Sequence, residues 1–422
     1  MKLAILGTRG VPPRYGGFET FAAELGRRLV LRGHQVTVYC RAGQIPRESE
    51  GSGRVGGTQQ AASDTLRATH PPSSLAPARD DTGSGTQQAA SGTLRATHPP
   101  SSLAPARDDT WEGIKLITLP AIPHKYLETV SHAALSALDA LRRDFDAVLL
   151  CNAANAFVLP LLRAARIPVA INVDGIERRR RKWNLLGKAV YAVGESLSVI
   201  FADRIVADAQ VIADYYEAQY AAKPVVIPYG SEFPDTADSD VLARLGVQSR
   251  GYVLYVSRFE PENNPLEVAR AYRTLRTDIP LVMLGEARYD KALGAELQSL
   301  ASGNILLPGA LYGADYQTLQ RHALVYIQAT EVGGTHPALI EAMASGGCVL
   351  AHDTPENREV GGDAVGYFTL RPMETLSDML RECFSDPAGR EAMRERARQR
   401  ASGHYGWEDV TFEYERLFRE IS

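Results

Sequence analysis

Cysteine is scarce in this sequence, and its few copies form no metal-binding pattern. The 422 residues include four cysteines, at Cys40, Cys151, Cys348 and Cys383, without a Cys-x-x-Cys pair or another ligand spacing. This scatter argues against a zinc site and against a disulfide framework. We therefore predict four buried, reduced thiols in a cytoplasmic protein.

Long apolar segments are missing as well. The best candidate for a membrane span runs from Ala147 to Leu162, but Asn152 and Asn155 interrupt it, so a buried strand followed by a helix fits better. The N-terminus leads into a short strand and a glycine turn, without the longer apolar stretch of a signal peptide. Both absences agree with a cytoplasmic location.

Two common phosphate-binding signatures do not occur. The loop GTRGVPPRYGGFET has only Gly7 and Gly10 before its prolines, so it is not the Gly-x-Gly-x-x-Gly of nicotinamide enzymes. A Walker-type loop ending in Gly-Lys-Ser/Thr is also missing, which argues against a nucleoside triphosphatase. The net charge of −4 and pI near 6.2 give no basic signature for nucleic acid.

The length exceeds what one hydrophobic core usually supports, and strand and helix patterns alternate in two series. The first series comprises Lys2 to Gly7, Phe18 to Arg32, Gln35 to Cys40, Ile114 to Leu119, Val130 to Arg143, Ala147 to Cys151, Ala156 to Ala165 and Pro168 to Val173. The second begins near Pro228 and comprises Tyr252 to Arg258, Pro265 to Arg276, Pro280 to Gly285, Asp290 to Ala301, Asn304 to Leu307, Tyr316 to His322, Leu324 to Gln328, Pro337 to Ser345 and Cys348 to His352. The pattern predicts an α/β protein of two doubly wound, Rossmann-like domains that face each other across a cleft.

A tandem repeat interrupts the first series. Residues 57–82 recur as residues 85–110, and the copies differ only where Asp64 is replaced by Gly92. The Pro, Ser, Thr and Ala content offers little to bury, and a solenoid would need more copies. We predict that residues 48–110 are a disordered surface insert.

The strongest local signal is EVGGTHPALIEAMASGG, residues 331–347. A strand would end before it and a helix would begin at Pro337, so the helix N-terminus would offer an anion site. The carboxylate of Glu341, about one turn in, could accept two hydrogen bonds from ribose hydroxyls. The loop positions expected at the ligand are Gly333, Gly334, Thr335 and His336, with Thr335 or His336 capping the helix. A connection whose glycines serve only for turning remains an equal alternative.

Arg258 is a second candidate, because it lies at the carboxyl end of a predicted strand. Its guanidinium could bind phosphate oxygens in a bidentate manner. The alternative, an ion pair with Glu260 or Glu262, is favoured unless a partner motif is present.

Two further loops carry candidate residues. Gly16 and Gly17 precede an amphipathic helix whose N-terminus would face the cleft. Asp174 ends a strand, where its carboxylate could contact hydroxyl groups of a ligand. The five basic residues after it could meet a diphosphate or anionic lipid, or form a solvated face: Arg178, Arg179, Arg180, Arg181 and Lys182.

The triplet Asp238-Ser239-Asp240 superficially matches a metal-binding DxD motif. It lies directly before the helical pattern VLARLG, so helix capping explains it better than a metal does.

Four segments together resemble family 4 of the retaining glycosyltransferases: MKLAILGTRGVPPRYGGFETFAAEL, NVDGIE with a following RKW, SRFEPENNP and GGTHPALIEAMASG. Within the family they are most similar to rhamnosyl- and mannosyltransferases of capsule and exopolysaccharide synthesis. The resemblance implies a GT-B fold without metal or cofactor. It further implies an acceptor domain over residues 1–225, a nucleotide-sugar domain over 226–400 and a final helix, 401–422, that returns to the first domain.

The resemblance also implies roles for single residues. Asp174, Arg258 and Glu341 would act in catalysis. Donor-binding positions would be Gly16, Gly17, Arg258, Asn263, Gly333, Gly334, Thr335, His336 and Glu341. Acceptor-binding positions would be Arg14, Tyr15 and Glu177. The sequence departs from the family where Asn263 replaces a lysine, Gly333 replaces the first glutamate of E-x7-E, and Asp174 stands where many relatives have a histidine.

The expected activity is transfer of a sugar from a nucleotide-diphosphate sugar to a lipid-linked or saccharide acceptor, with retention by front-face attack as the family implies. Two alternatives stay open from the residues. One is a nucleotide-sugar epimerase of the same architecture. The other is a donor-binding subunit without activity, which the missing lysine and glutamate suggest.

Overall fold

The computed structural model describes residues 1–13, 17–42, 107–124, 127–181, 184–232, 238–288, 290–301, 303–372 and 374–422. These residues belong to one compact unit, which spans Met1–Ile45 and Pro105–Ser422. Most of the predicted insert, residues 48–106, lies outside the described residues.

The first sheet has eight strands in the order β3-β4-β2-β1-β5-β6-β7-β8. The bounds are β1 Lys2–Leu6, β2 Gln35–Arg41, β3 Arg107–Trp111, β4 Ile114–Leu119, β5 Ala147–Cys151, β6 Val169–Asn172, β7 Arg204–Ala207 and β8 Val225–Val226. Every pairing is parallel except that of β3 with β4. The predicted strands are confirmed, and β3, β7 and β8 are additions to them.

Strand β3 corrects the predicted extent of the insert, because residues 107–110 are extended and paired rather than disordered. The cause is a tight hairpin. Glu112 and Gly113 both have positive φ, 48° and 80°, which suits a two-residue turn between antiparallel strands. The turn brings Trp111 opposite Ile114 in the ladder.

Five α-helices of the described residues lie in the same half of the chain as this sheet. They are α1 Gly17–Leu31, α2 Leu127–Ala140, α3 Leu159–Ala164, α4 Leu185–Phe201 and α5 Gln210–Tyr220. Phe21, Leu25 and Leu29 of α1 are buried, as their spacing predicts. The predicted helix at 156–165 is instead a 3₁₀ helix, Ala153–Val158, followed by α3. Helices α4 and α5 are not among the predicted elements.

The second sheet has six parallel strands in the order β11-β10-β9-β12-β13-β14. Its strands are β9 Val253–Val256, β10 Leu281–Leu284, β11 Ile305–Gly309, β12 Val325–Gln328, β13 Val349–His352 and β14 Gly366–Phe368. The helices around it are α6 Val241–Leu245, α7 Pro265–Arg273, α8 Lys291–Leu300, α9 Gly313–His322, α10 Pro337–Ala344, α11 Pro355–Gly361, α12 Glu374–Ser385 and α13 Pro387–His404. Two doubly wound sheets are therefore present, as the alternating patterns predict.

The last helix, α14 Trp407–Ile421, packs against the N-terminal half. The ring of Tyr414 lies 5.3 Å from that of Phe21 in α1. The side-chain amide of Asn172, the last residue of β6, donates to the Tyr414 hydroxyl over 2.8 Å. At the surface Arg32 pairs with Glu408 at 2.7 Å.

The sequence-based expectations about single groups have mixed outcomes. The four cysteines are free and buried, as predicted. Asp240 of the DxD triplet is the N-cap residue of α6 but its side chain makes no capping hydrogen bond, while the Ser239 hydroxyl accepts from the amide of Val241 over 3.3 Å. Asp238 instead pairs with Arg321 at 2.7 Å and His322 at 2.6 Å. Among the described helices, none is both long and apolar enough to cross a membrane.

Removing the Tyr414 hydroxyl should destabilise the attachment of α14. In Tyr414→Phe the buried amide of Asn172 loses its acceptor, so we expect the free energy of unfolding to fall by about 1–3 kcal/mol. Urea unfolding followed by circular dichroism measures the loss. Phe412→Leu, at an exposed position of the same helix, is the control and should change little; equal stability of Tyr414→Phe and wild type would contradict the prediction.

Candidate functional site

The carboxyl ends of strands from both sheets meet at one place. A Cβ atom added at Gly175, just after β6, would lie 3.2 Å from the Cα of Gly333 in the loop after β12. One added at Gly17, the first residue of α1, would lie 3.2 Å from Cγ of Pro337, the first residue of α10. Open α/β sheets bind ligands at such strand ends, so this meeting point is the candidate site.

Asp208, which the sequence patterns do not single out, holds the two halves of the site together. It directly follows β7 and is fully buried. The amide of Thr335 donates to Oδ2 of Asp208 over 2.9 Å, and the Thr335 hydroxyl donates to the Asp208 carbonyl oxygen. A Cβ at Gly334 would lie 2.0 Å from Oδ1 of Asp208, so this glycine makes room for the carboxyl group. An aspartate directly after a strand, the feature that marks Asp174, is the signal that could have found it.

The half-buried Asp174 and the buried Asp208 form a carboxyl pair just past the ends of the neighbouring parallel strands β6 and β7. Burial and the adjacent Asp174 carboxylate raise the pKa of Asp208 well above its usual range. Burial also raises the pKa of Asp174, although the positive charges of Arg180 and Arg258 oppose this. Two carboxyl groups in such an environment do not both ionise readily, which favours the state in which one proton is shared between them.

Arg180, from the centre of the predicted basic run, points into the protein. Its Nε lies 2.7 Å from Oε1 of Glu177, and Nη1 lies 3.8 Å from carboxylate oxygens of Glu260 and Glu262. Burial alone would lower the pKa of Arg180, but Glu177 and Asp174 hold it above its usual range. The prediction that this residue forms part of a membrane or acceptor-facing basic surface is therefore wrong. Glu177, predicted to bind the acceptor, is the ion-pair partner of Arg180.

The other members of the basic run also have partners. The Nε of Arg178 lies 3.4 Å from Glu195, and the guanidinium groups of Arg178 and Arg179 lie over the ring of Tyr215. Arg181 pairs with Glu331 at 2.6 Å, with half of its side chain exposed. Lys182 lies outside the described residues. Each described arginine of the run thus has a protein partner, while Arg179 and Arg181 remain exposed to solvent.

Arg258 has the opposite environment to Arg180. Its side chain is exposed and makes no ion pair with any described residue. The two glutamates expected as its partners, Glu260 and Glu262, lie near Arg180 instead. The side-chain amide of Asn263 donates to the Arg258 carbonyl oxygen over 2.6 Å, so this residue, at the position of the family lysine, shapes the Arg258 loop.

The helix N-terminus at α10 is only partly free. His336 is the N-cap residue but its side chain makes no capping hydrogen bond, and the Thr335 hydroxyl is engaged with Asp208. His336, one of the two residues expected to cap the helix, therefore occupies the N-cap position without a capping hydrogen bond from its side chain. The amides of His336 and Ala338 donate to no described residue. Burial, together with the charges of Arg180 and Arg258, lowers the pKa of His336 to about 3, so its imidazole is neutral.

Glu341 lines a cavity of about 170 Å³ between the starts of α1 and α10. Its Oε2 accepts a hydrogen bond from the Tyr316 hydroxyl over 2.5 Å, and Gln320 donates to the same hydroxyl. Burial and the nearby Glu24 raise the pKa of Glu341. Gly17 and Pro337 lie on the wall of this cavity, as expected for two helix N-termini that face one ligand.

Three predicted site residues, Arg14, Tyr15 and Gly16, lie outside the described residues. The structure therefore brings Asp174, Arg258 and the 333–336 loop to one edge, with Glu341 in the adjoining cavity. It adds Asp208 and Arg180, neither of which the sequence marks as part of a buried charge network.

Two family models match the chain. Residues 16–230 match the model described as a glycosyl transferase 4-like domain, and residues 244–400 match the model described as glycosyl transferases group 1. The first match covers half of the chain and contains Asp174 and Asp208. The second contains Arg258 and Glu341. No curated protein sequence matches.

Solved structures share the fold at low sequence identity. Sucrose-phosphate synthase from Thermosynechococcus elongatus superposes with a TM-score of 0.72 at 14% identity, covering 100% of this chain and 98% of that one. Anabaena Alr3699/HepE in complex with UDP-glucose gives 0.69 at 14% identity, covering 100% and 99%. A trehalose-phosphate synthase from Burkholderia xenovorans gives 0.68 at 11% identity, covering 99% and 100%. The predicted GT-B fold is confirmed.

Substitutions of Asp208 should separate its two roles. Asp208→Ala leaves the buried Thr335 amide without an acceptor, which should lower the free energy of unfolding by about 1–3 kcal/mol. Asp208→Asn keeps an acceptor for Thr335 and removes the titratable group, so it should cost less. Urea unfolding at neutral pH compares the two.

The same variants should differ from wild type in their pH dependence. The pKa of Asp208 is raised in the folded protein, so folded wild type binds a proton that the unfolded chain releases above pH ~4. Its free energy of unfolding therefore falls with rising pH, by about 1.4 kcal/mol per unit of raised pKa, until the folded-state pKa is passed. Asp208→Asn lacks this term and should gain stability relative to wild type as pH rises. Parallel pH profiles would contradict a shared proton.

Proposed function

The chain belongs to the glycosyl transferase 4-like family and is a glycosyltransferase, and from this premise we propose that its donor is a nucleotide-diphosphate sugar. The acceptor is a lipid-linked or saccharide hydroxyl in the synthesis of a cell-surface polysaccharide. The transferred group is a hexose or deoxyhexose, with rhamnose or mannose as the first candidates. The order and the amino-acid sequences of the four family-like segments support this subgroup.

The observation that carries the proposal is an exposed guanidinium, without an ion pair to any described residue, near a helix N-terminus. Arg258 has no ion pair among the described residues, whereas Arg180 beside it is surrounded by acids. The amides at the start of α10 face the same edge of the sheets. A diphosphate would be stabilised there by a bidentate cation and by the helix dipole. The Anabaena protein, crystallised with UDP and with UDP-glucose, supports a nucleotide donor in this fold.

The ribose is assigned to Glu341. The Tyr316 hydroxyl fixes one carboxylate oxygen, which leaves the other for sugar hydroxyls in the cavity beside α1. Fixing the carboxylate in advance reduces the entropy cost of binding the nucleotide.

Arg258 and the α10 N-terminus would stabilise the negative charge that develops on the departing nucleotide diphosphate. His336 is neutral, so it can donate or accept one hydrogen bond without adding charge. Asp174, which shares its proton with Asp208, would orient the incoming hydroxyl. The family resemblance supports a front-face, retaining transfer in which the leaving phosphate accepts the proton of that hydroxyl.

The proposed place of action is the cytoplasmic face of the cell membrane. The four buried thiols are compatible with a reducing compartment, and a lipid-linked acceptor would be presented at the bilayer surface. The described part of the basic run offers Arg178, Arg179 and Arg181 near that surface, each with a protein partner.

Arg258→Ala should reduce turnover by about two orders of magnitude or more, because the leaving diphosphate loses a charge-stabilising donor. Release of nucleoside diphosphate from the donor sugar that gives the largest thermal shift in a nucleotide-sugar screen provides the assay. The matched control is Arg270→Ala, which removes an exposed arginine of α7 that pairs with Glu296 of α8. This variant should retain activity. Full activity of Arg258→Ala would discard the assignment.

Glu341→Gln should weaken donor binding by roughly tenfold to a hundredfold, because hydrogen bonds from ribose to a charged acceptor are replaced by weaker ones. Tyr316→Phe should weaken it less, since the carboxylate remains but is no longer held by the hydroxyl. Titration with nucleoside diphosphate, followed by calorimetry, compares the affinities. If Tyr316→Phe had the larger effect, the ribose contact would belong to the tyrosine instead.

A further inference from the structure

Helix α4 presents an apolar face to solvent. Leu185, Leu186, Val190, Val193 and Ile200 are between 53% and 87% exposed. Isolated exposed apolar residues are ordinary, but five on one helix of 17 residues are not. The face requires a partner.

The five side chains lie on one side of α4. At 100° per residue they fall within an arc of about 140°, and Ala189 lies within the same arc. The opposite side, turned to the protein, contains the buried Gly194, Glu195 and Ser198. Glu195 is satisfied there by the hydroxyls of Tyr215 and Tyr220. The helix is therefore amphipathic with its apolar side outward, and no charge interrupts that side.

The apolar surface extends beyond α4 within one layer of the fold. Ile122, Leu127, Val130 and Leu138, in and before α2, are also exposed, as is Leu161 of α3. Helices α2 and α4 both pack on the 3₁₀ helix Ala153–Val158, so they lie on the same side of the first sheet. Most of the exposed large apolar side chains among the described residues belong to this layer.

The charge around this layer differs from that of the whole protein. Residues 122–204 contain twelve Lys and Arg against eight Asp and Glu, whereas the complete chain has 46 against 50. Arg179 and Arg181 lie exposed just before α4 begins. A positive segment beside an aliphatic face complements an anionic bilayer, which takes up apolar side chains below its negatively charged headgroups.

The composition of the face favours lipid over protein. Its exposed side chains are Leu, Val, Ile and Ala, while protein interfaces are enriched in aromatic residues and in Arg, and their hot spots rarely involve Leu or Val. The face is also a stripe along a helix about 26 Å long, which suits lying in the plane of a membrane surface.

We propose that the outward face of α4, extended by the exposed side chains of α2, is the surface by which this glycosyltransferase lies on an anionic lipid bilayer. Helix α4 begins next to Glu177 and Arg180, so docking places the headgroup plane beside the Asp174 side of the site. A lipid-linked acceptor would reach the site from there. The delivery of a lipid-linked acceptor to the site rests on the proposed function, whereas binding of α4 to the bilayer does not require that function.

The test is co-sedimentation of the full chain with vesicles. Wild type should bind phosphatidylcholine vesicles that contain phosphatidylglycerol, and bind vesicles of phosphatidylcholine alone more weakly. Val190→Asp and Val193→Asp should each weaken binding by about tenfold or more, because a charge replaces an inserted apolar side chain. Phe412→Asp, an exposed apolar position on α14 outside this layer, should bind like wild type.

Donor binding separates this inference from the proposed function. Thermal shifts by nucleotide sugar should be unchanged in Val190→Asp and Val193→Asp, which also shows that both variants are folded. Equal vesicle binding by wild type and both variants would overturn the inference, as would no vesicle binding by wild type. A wild-type dimer in sedimentation velocity that Val190→Asp dissociates, without vesicle binding, would assign the face to a second copy of the chain.

Discussion

The contact between Asp208 and Thr335 joins the edges of the two sheets, and the arrangement of the site follows from it. Asp208 ends β7 of the first sheet, while Thr335 lies in the loop that leads from β12 of the second sheet into α10. Only a glycine at position 334 leaves room for the carboxyl group. A buried carboxyl group placed here must be neutralised or fully hydrogen-bonded, because its desolvation is costly. The raised pKa of Asp208, which favours its neutral form, and donation from Thr335 meet this requirement, so the loop before α10 is anchored by a residue of the first sheet.

The cost of burying a charged group also distinguishes the environments of Arg180 and Arg258. A buried guanidinium is tolerated only among carboxylates, and Arg180 lies among Glu177, Glu260 and Glu262. Because those acids are directed to Arg180, Arg258 stays exposed without an ion pair to any described residue. A cation that is already neutralised by protein acids has little attraction left for a diphosphate. The burial of Arg180 among acids thus accounts for the availability of Arg258, and Asn263 holds the loop on which Arg258 lies.

The sequence was a good guide wherever the determining pattern is local. Apolar runs such as Ala147–Cys151 and the Phe21, Leu25 and Leu29 face predict the parallel sheets and their helices, and glycines followed by proline mark the start of α10. The roles of Asp208 and Arg180 depend on partners far away in the chain: Thr335 is 127 residues from Asp208, and Glu260 comes from the other sheet. The five consecutive basic residues look equivalent in sequence, although Arg180 is the buried one among the four that the structure describes. The exposed face of α4 is likewise invisible locally, because an apolar helical stripe normally indicates a core.

These features together set the balance of charge in the proposed site. The Asp174–Asp208 pair keeps one negative charge when it holds one proton, Arg180 is compensated by carboxylates, and His336 is neutral. Arg258 is exposed and forms no ion pair with a described residue, so its guanidinium is accessible to a ligand. The family lysine and the first family glutamate are replaced by Asn263 and Gly333, which removes one positive and one negative charge together. In the proposed donor site this double replacement leaves the net charge unchanged, and backbone amides at the α10 N-terminus would supply part of the charge stabilisation. Amides on a rigid helix need no reorganisation when charge develops, so a site with fewer ionic side chains can still stabilise a departing diphosphate.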